Sequence, residues 1–142
     1  MKVLIFIQGL SFGGPEKLVY DMVKHIIKNQ NNIKIIKLEI CCYDILGHFA
    51  EKLIGEKQKI NLSLLKRKPG IDLFYPFKLA SLIKQKKIDV IHAHNATAWF
   101  YGTWASILTR VPIVYTEHDR SFPTPLRLKY FHYFFGKYAT AV

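Results

Sequence analysis

The chain has little with which to do sulfur chemistry, hold a metal or cross a membrane. It carries only two cysteines, Cys41 and Cys42, and they are neighbours. Adjacent strand residues point to opposite faces, so a bond between them would be strained. Two thiols are also too few for a structural zinc site built of thiolates. They read as small core-filling side chains of a reducing compartment. Carboxylates are scarce: ten Asp and Glu stand against 21 Lys and Arg, for a formal net charge of +11. No stretch reaches the roughly 18 uninterrupted apolar residues of a membrane-spanning helix. The opening run Val3-Leu4-Ile5-Phe6-Ile7 is too short for the apolar region of a signal peptide, so a cytoplasmic location is expected. Internal repeats, low-complexity segments and a dividing linker are missing, as are G-x-G-x-x-G and the Gly-Lys-Ser/Thr of a phosphate-binding P-loop.

What is there fits one globular domain. Of the 142 residues, 50% are hydrophobic and 22% charged, the profile of a folded chain and not of a disordered one. A domain of this size buries roughly 68–70% of its unfolded surface. The positive surface should attract anions, whether nucleic acid, a phosphorylated substrate or an acidic membrane face. Lys66-Arg67-Lys68 and Lys84/Lys86/Lys87 lack interleaved stacking aromatics, so no nucleic-acid partner is expected.

Apolar periodicity alternates between strand and helix along the chain. Lys2–Gln8 reads as a buried strand. Glu16–Asn29 reads as a helix, with Leu18, Val19, Met22, Val23, Ile26 and Ile27 at helical spacing. After a polar break at Asn29–Asn32, Ile33–Cys42 is expected to be the second strand. Ile45–Ile54 should be a short helix ended by a left-handed Gly55, and Lys59–Leu62 a third strand. Past a basic turn at Leu64–Gly70, Asp72–Lys87 is expected to be helical with Pro76 in its first turn. Ile88–His94 and Pro112–Glu117 read as strands on either side of a helix over Thr97–Thr109. Pro123 and Pro125 bracket a turn before a helix at Leu126–Lys137, and Tyr138–Val142 opens another strand. This order predicts a Rossmann-like α/β fold, a parallel sheet flanked by helices, with ligands bound outside the carboxyl ends of the strands.

Three groups fall at those ends. Gln8–Glu16 contains Gly13-Gly14-Pro15 and opens a helix. Paired glycines let a backbone approach a phosphate, and helix N-terminal N–H groups favour negative charge; a plain strand-to-helix turn would look the same. In Asp89–Asn95, His92 and His94 lie two apart on a strand and therefore share a face. They could join His118 as metal ligands, or one could sit in the core and one over a site. Thr116-Glu117-His118-Asp119-Arg120 could perform acid–base work or grip an anion, or simply form a hydrogen-bonded polar loop.

Taken together the three segments resemble retaining GT-B glycosyltransferases of the glycosyltransferase family 4 type. The resemblance rests on Gly13-Gly14-Pro15-Glu16, on Asp89–His94 followed by a helix with Ala105-Ser106, and on Val111–Val114 leading to Thr116-Glu117-His118. It implies that the chain is the N-terminal, acceptor-side half of a GT-B fold, over residues 1–142. It implies a nucleotide-sugar donor and a glycan or lipid-linked acceptor, as in the synthesis of cell-surface polysaccharide or lipopolysaccharide. Gly13 and Gly14 would lie against the donor diphosphate. His118 would face the transferred sugar and is the candidate catalytic residue. His94, Asn95, Glu117, Asp119 and Arg120 would line the acceptor side. No cofactor and no metal are implied, because protein donors and helix dipoles offset the leaving charge. Retention would proceed with the leaving phosphate assisting attack on the same face.

The family's second Rossmann-like half, with its Arg/Lys pair and E-x7-E segment, has no counterpart in the sequence. The isolated chain is therefore expected to be inactive, and a non-catalytic fragment or interaction module is the alternative. A metal-dependent hydrolase using His92, His94 and His118 is a further one. Acceptors of this family are often lipid-linked, which gives the basic surface a role at the inner membrane face. Leu126–Phe135 mixes cations with aromatics as an interfacial helix would, although so many apolar positions also suit burial.

Overall fold

The computed structural model describes residues 1–29, 37–55, 60–118, 130, 133, 136 and 139–141. Ten elements follow in chain order: β1 (Lys2–Ile7), α1 (Gly14–Lys28), β2 (Lys37–Cys42), α2 (His48–Gly55), β3 (Asn61–Leu64), α3 (Tyr75–Lys86), β4 (Val90–His94), α4 (Ala96–Thr109), β5 (Ile113–Thr116) and β6 (Ala139–Ala141). The strands form one parallel sheet in the order β3-β2-β1-β4-β5-β6. That is the strand order of doubly wound dinucleotide-binding sheets, with its switch point between β1 and β4.

The two-residue period of β1 divides the core. Leu4 and Phe6 pack with α3 and α4, joined by Ile91, Ala93, Trp99 and Tyr115. Ile5 and Ile7 pack with α1 and α2, joined by Val19, Val23, Phe49 and Leu53. Cys41 belongs to the first cluster and Cys42 to the second, so their side chains are on opposite faces and both thiols are free. Burial pushes their pKa values up to about 11 and about 12, which keeps them protonated and unreactive. At the amino edge of the sheet, the buried Glu39 takes an ion pair from Lys2 Nζ at 3.0 Å and a hydrogen bond from Asn61 Nδ2 at 2.7 Å. The charged groups of that edge satisfy one another.

Several boundaries differ from the sequence expectation. The second helix starts at His48 and not at Ile45, because Gly47 takes φ +76° just before it. Gly55 is the last helical residue, and among the described residues the positive-φ glycines are Gly47 and Gly70, so it is not a left-handed terminator. The third strand, expected over Lys59–Leu62, runs Asn61–Leu64 in register with Glu39–Cys42 of β2, and Lys59 lies outside the described residues. Helix α3 begins at Tyr75. Asp72 instead folds the approach to it, its carboxylate accepting from the N–H groups of Lys68 at 3.0 Å and Phe74 at 3.1 Å. The expected Ile33–Ile36 part of β2 and the Pro123–Pro125 turn lie outside the described residues. So does the Leu126–Lys137 helix, apart from residues 130, 133 and 136. Ala139–Ala141 does form a strand, parallel to β5.

Candidate functional site

Parallel topology places the loops after β1, β2, β3, β4 and β5 at one edge, with the crevice at the switch between β1 and β4. Loop Gln8–Gly13 leaves β1 and is pinned to the loop after β2. Leu10 N–H donates to Leu46 O at 2.9 Å, and Phe49 N–H donates to Leu10 O at 2.8 Å. Gly13 caps α1 in an extended conformation without a side-chain cap, and Pro15 occupies its first turn. A Cβ on Gly14 would meet nothing within 4 Å, whereas one on Gly13, the N-cap, would run into the Glu16 carboxylate.

The two histidines of β4 do share a face, with ring centroids 4.2 Å apart. His92 Nε2 is 2.9 Å from Thr116 Oγ1 across the β4–β5 pair. His94, 1% exposed, has its Nδ1 2.9 Å from Nε2 of His118, with the rings nearly parallel at 12°. One of the two nitrogens donates and the other accepts. Burial, then the neighbouring His92 and His118, lowers the pKa of His94 to about 3, so the ring is neutral at physiological pH. Burial lowers that of His92 in the same direction. A neutral His94 cannot satisfy both of its nitrogens within the protein: Nε2 is buried without a partner.

Asn95 follows directly, as the N-cap of α4. Its backbone sits at φ 73°, ψ 158°, a region that side-chain-bearing residues rarely occupy. The conformation is held by its N–H donating to Thr116 O at 3.2 Å and by its carbonyl accepting from Trp99 N–H at 3.0 Å. Its side-chain Oδ1 is likewise buried without a partner. Most buried polar side-chain atoms are hydrogen-bonded in native proteins, and these two exceptions are neighbours at one strand end. Glu117 is exposed and accepts a hydrogen bond from the Tyr115 hydroxyl. Asp119 and Arg120 lie outside the described residues.

The structure thus joins two of the three segments singled out in the sequence, β4 with the loop after β5, and sets the glycine loop on the adjoining strand. Among the described residues no group of three or more His, Cys, Asp or Glu side chains is placed to hold a metal. His94 and His118 engage each other, and His92 engages Thr116. Sequence reasoning missed a second polar group at the same edge. Asp44, after β2, accepts from Gln8 Nε2 at 3.0 Å and pairs with Arg67 Nε at 2.9 Å and Nη2 at 3.2 Å. Arg67 also lies 5.5 Å from the Tyr43 ring centroid. These residues are far apart in sequence, and only the strand order brings them together.

In doubly wound sheets of this kind ligands bind in the crevice outside the carboxyl ends of the strands, at the switch point. The sequence matches the family described as Glycosyltransferase Family 4 over residues 12–142, and the chain belongs to that family. No curated protein matches it. Among solved structures, HepE (Alr3699) of Anabaena in complex with UDP and glucose is similar with a TM-score of 0.73 at 22% identity, over 99% of this chain and 36% of that one. MurG of Acinetobacter baumannii is similar with a TM-score of 0.62 at 14% identity, over 98% and 39%. A putative UDP-N-acetylglucosamine 2-epimerase of Listeria monocytogenes gives 0.60 at 12%, over 97% and 36%. Likenesses this distant show the fold alone. The chain spans little more than a third of the length of each of these structures.

Proposed function

We propose that the chain is the acceptor-side half of a retaining glycosyltransferase, acting with a donor-binding half to move a sugar from a nucleotide-sugar to a glycan or lipid-linked acceptor. The setting would be cell-surface polysaccharide or lipopolysaccharide synthesis, at the inner face of a membrane. In that reaction the bond from the sugar's anomeric carbon to the donor phosphate breaks, and the nucleoside diphosphate leaves with the electron pair. A bond from the same carbon to an acceptor oxygen forms on the same face, and the acceptor proton passes to the departing phosphate.

The observation that carries this reading, beside family membership, is the His94–His118 pair at the switch point. A buried neutral His94 fixes the ring of His118 through Nε2 and leaves His118 Nδ1 to meet the transferred sugar. His94 and Asn95 would back the acceptor side of the crevice, their Nε2 and Oδ1 reached by an acceptor hydroxyl only when the loops above them open, since both atoms are closed to solvent. Gly14 leaves room at the N-terminus of α1 for the donor diphosphate, once the Glu16 carboxylate that packs over Gly13 turns away. Glu117, Asp119 and Arg120 complete the acceptor side, Arg120 towards an anionic group. In a polypeptide that carries this chain with its donor-binding half, His118→Ala should lower turnover by about 100-fold or more, the scale of losing one preorganised polar group, and far more than the loss of the His94 partner lowers stability, about 1–3 kcal/mol. Unchanged turnover would remove His118 from the site.

A further inference from the structure

The loops after β1 and β2 run side by side. Asp44 N–H donates to Gln8 O at 3.0 Å, Leu10 N–H to Leu46 O at 2.9 Å and Phe49 N–H to Leu10 O at 2.8 Å. Where the loops leave the sheet, the exposed Gln8 and the half-buried Asp44 and Arg67 form one polar group. Further along, Phe12 is 78% exposed, with one face of its ring laid on His48 at 4.4 Å and 23°. Tyr43 ties this flank to the crevice. Arg67 lies over its ring, and its hydroxyl interacts with the side chain of Thr97, two residues beyond Asn95.

The polar group has hydrogen-bonding capacity to spare. Among the described residues, both hydrogen bonds to the Asp44 carboxylate end on Oδ2, from Gln8 Nε2 at 3.0 Å and Arg67 Nη2 at 3.2 Å. Oδ1 has only the ion-paired Arg67 Nε, 2.9 Å away. A guanidinium carries five N–H groups. Here Nη1 gives one to Gly70 O at 3.1 Å and Nη2 gives one to Asp44, so each terminal nitrogen keeps another. Gln8 engages Asp44 through its Nε2, which leaves its amide oxygen as an acceptor at the surface. Donors and acceptors therefore stand side by side, and the charges of Asp44 and Arg67 cancel. A phosphate only accepts hydrogen bonds, and Asp44 would repel it. Adjacent hydroxyls of a sugar donate and accept at neighbouring positions, and match the group. An aromatic face is negative and attracts the weakly positive C–H groups of a sugar ring, which fits the open face of Phe12.

We propose that these two loops select an uncharged acceptor glycan, with Gln8, Asp44 and Arg67 holding adjacent hydroxyls of one sugar unit and Phe12 packing on the C–H face of the next. Four residues of chain separate Gln8 from Phe12, at most about 14 Å, so one short oligosaccharide reaches both. Strands β2 and β4 flank β1 on opposite sides. The group thus lies across β1 from His94 and His118, and its residues set specificity without touching the reacting atoms. The inference rests on the reading of the chain as an acceptor-side half, but sugar binding is measured without any sugar transfer.

The test is an NMR titration of the isotope-labelled chain with the methyl glycosides of glucose, galactose and mannose, with the disaccharides maltose, lactose and mannobiose, and with inorganic phosphate. At least one disaccharide should shift the N–H signals of Gln8, Asp44, Arg67 and Phe12 with a millimolar Kd, and bind more tightly than the matching methyl glycoside. Asp44→Asn should weaken binding about tenfold, the worth of a hydrogen bond to a charged group, and Gln8→Ala about threefold. Phe12→Ala should erase the advantage of the disaccharide. Gln8 and Phe12 are exposed, so those two variants read the site even if Asp44→Asn loosens the loops. No shift with any sugar at about 100 mM, a hundredfold above a millimolar Kd, would overturn the proposal, as would equal binding by all three variants. So would shifts at these residues from phosphate alone, which would make the group an anion site. Sugar binding here in a chain that, joined to its donor-binding half, transfers no sugar would sink the transferase reading and leave this site standing. Transfer whose acceptor KM ignores Asp44→Asn and Phe12→Ala would do the reverse.

Discussion

His94 shows how one side chain can set both stability and site chemistry. Its folded pKa is depressed to about 3 by burial and by two neighbouring imidazoles, against about 6.5 for an unfolded histidine. Above pH 6.5 both states are neutral there and the group imposes no penalty. As pH falls below about 6.5 the unfolded chain takes up a proton that the folded chain refuses, so stability is lost progressively down towards pH 3. The slope from this group is at most about 1.4 kcal/mol per pH unit, and His92, shifted the same way, adds to it. Thermal unfolding followed from about pH 8 to about pH 4 should show the loss setting in near 6.5, and His94→Gln should flatten it. A profile identical to the wild type would mean that His94 is not held neutral. The His–x–His spacing made the shared face legible in the sequence. The burial of His94, the partner Thr116 and the strained backbone of Asn95 were not, because each depends on strand β5 lying beside β4.

At the scale of elements, close approach of helix and sheet positions the crevice. Gly102 faces the sheet from α4, where an added Cβ would come within 2.8 Å of Ile113 Cδ1, 3.7 Å of Phe6 Cδ1 and 3.8 Å of Ala93 Cβ. Helix propensity alone would favour replacing it, by about 1 kcal/mol for Ala. Crowding opposes that gain and wins for a larger side chain. Gly102→Leu should therefore destabilise by about 1–3 kcal/mol in denaturant melts. Ile113→Val should cost less in a Gly102→Ala background than alone, because it removes the crowded methyl group. Additive effects would mean that α4 can shift freely off the sheet. The elements richest in periodic apolar residues, β1, α1, β4 and α4, were readable to within a residue or two. Those set by one backbone angle or by a partner strand were not: α2 waits on Gly47, and β3 takes its register from β2. At α3, Phe74 and Phe77 face outward. Only the fold shows that Tyr75, Leu79 and Ile83 fill the core in their stead.

For the whole molecule, the parallel sheet flanked by helices is the Rossmann-like fold expected from the sequence. The strand order fixes where the crevice is, and family membership over residues 12–142 fixes its kind. The excess of 21 basic over ten acidic residues is not spread evenly, since from Leu64 to Lys87 the chain carries seven Lys and Arg and one carboxylate, the buried Asp72. Composition alone showed that excess but could not say which face holds it. The central claim is that this crevice, joined to a donor-binding half, moves sugar from a nucleotide-sugar. The most direct measurement is to incubate the two halves in one polypeptide with a panel of radiolabelled nucleotide-sugars and a membrane lipid extract, and to count label in the lipid and glycan fractions. The account predicts incorporation from at least one donor and its near-disappearance in His118→Ala. Label that stays on the nucleotide with every donor, or incorporation that His118→Ala leaves untouched, would contradict it.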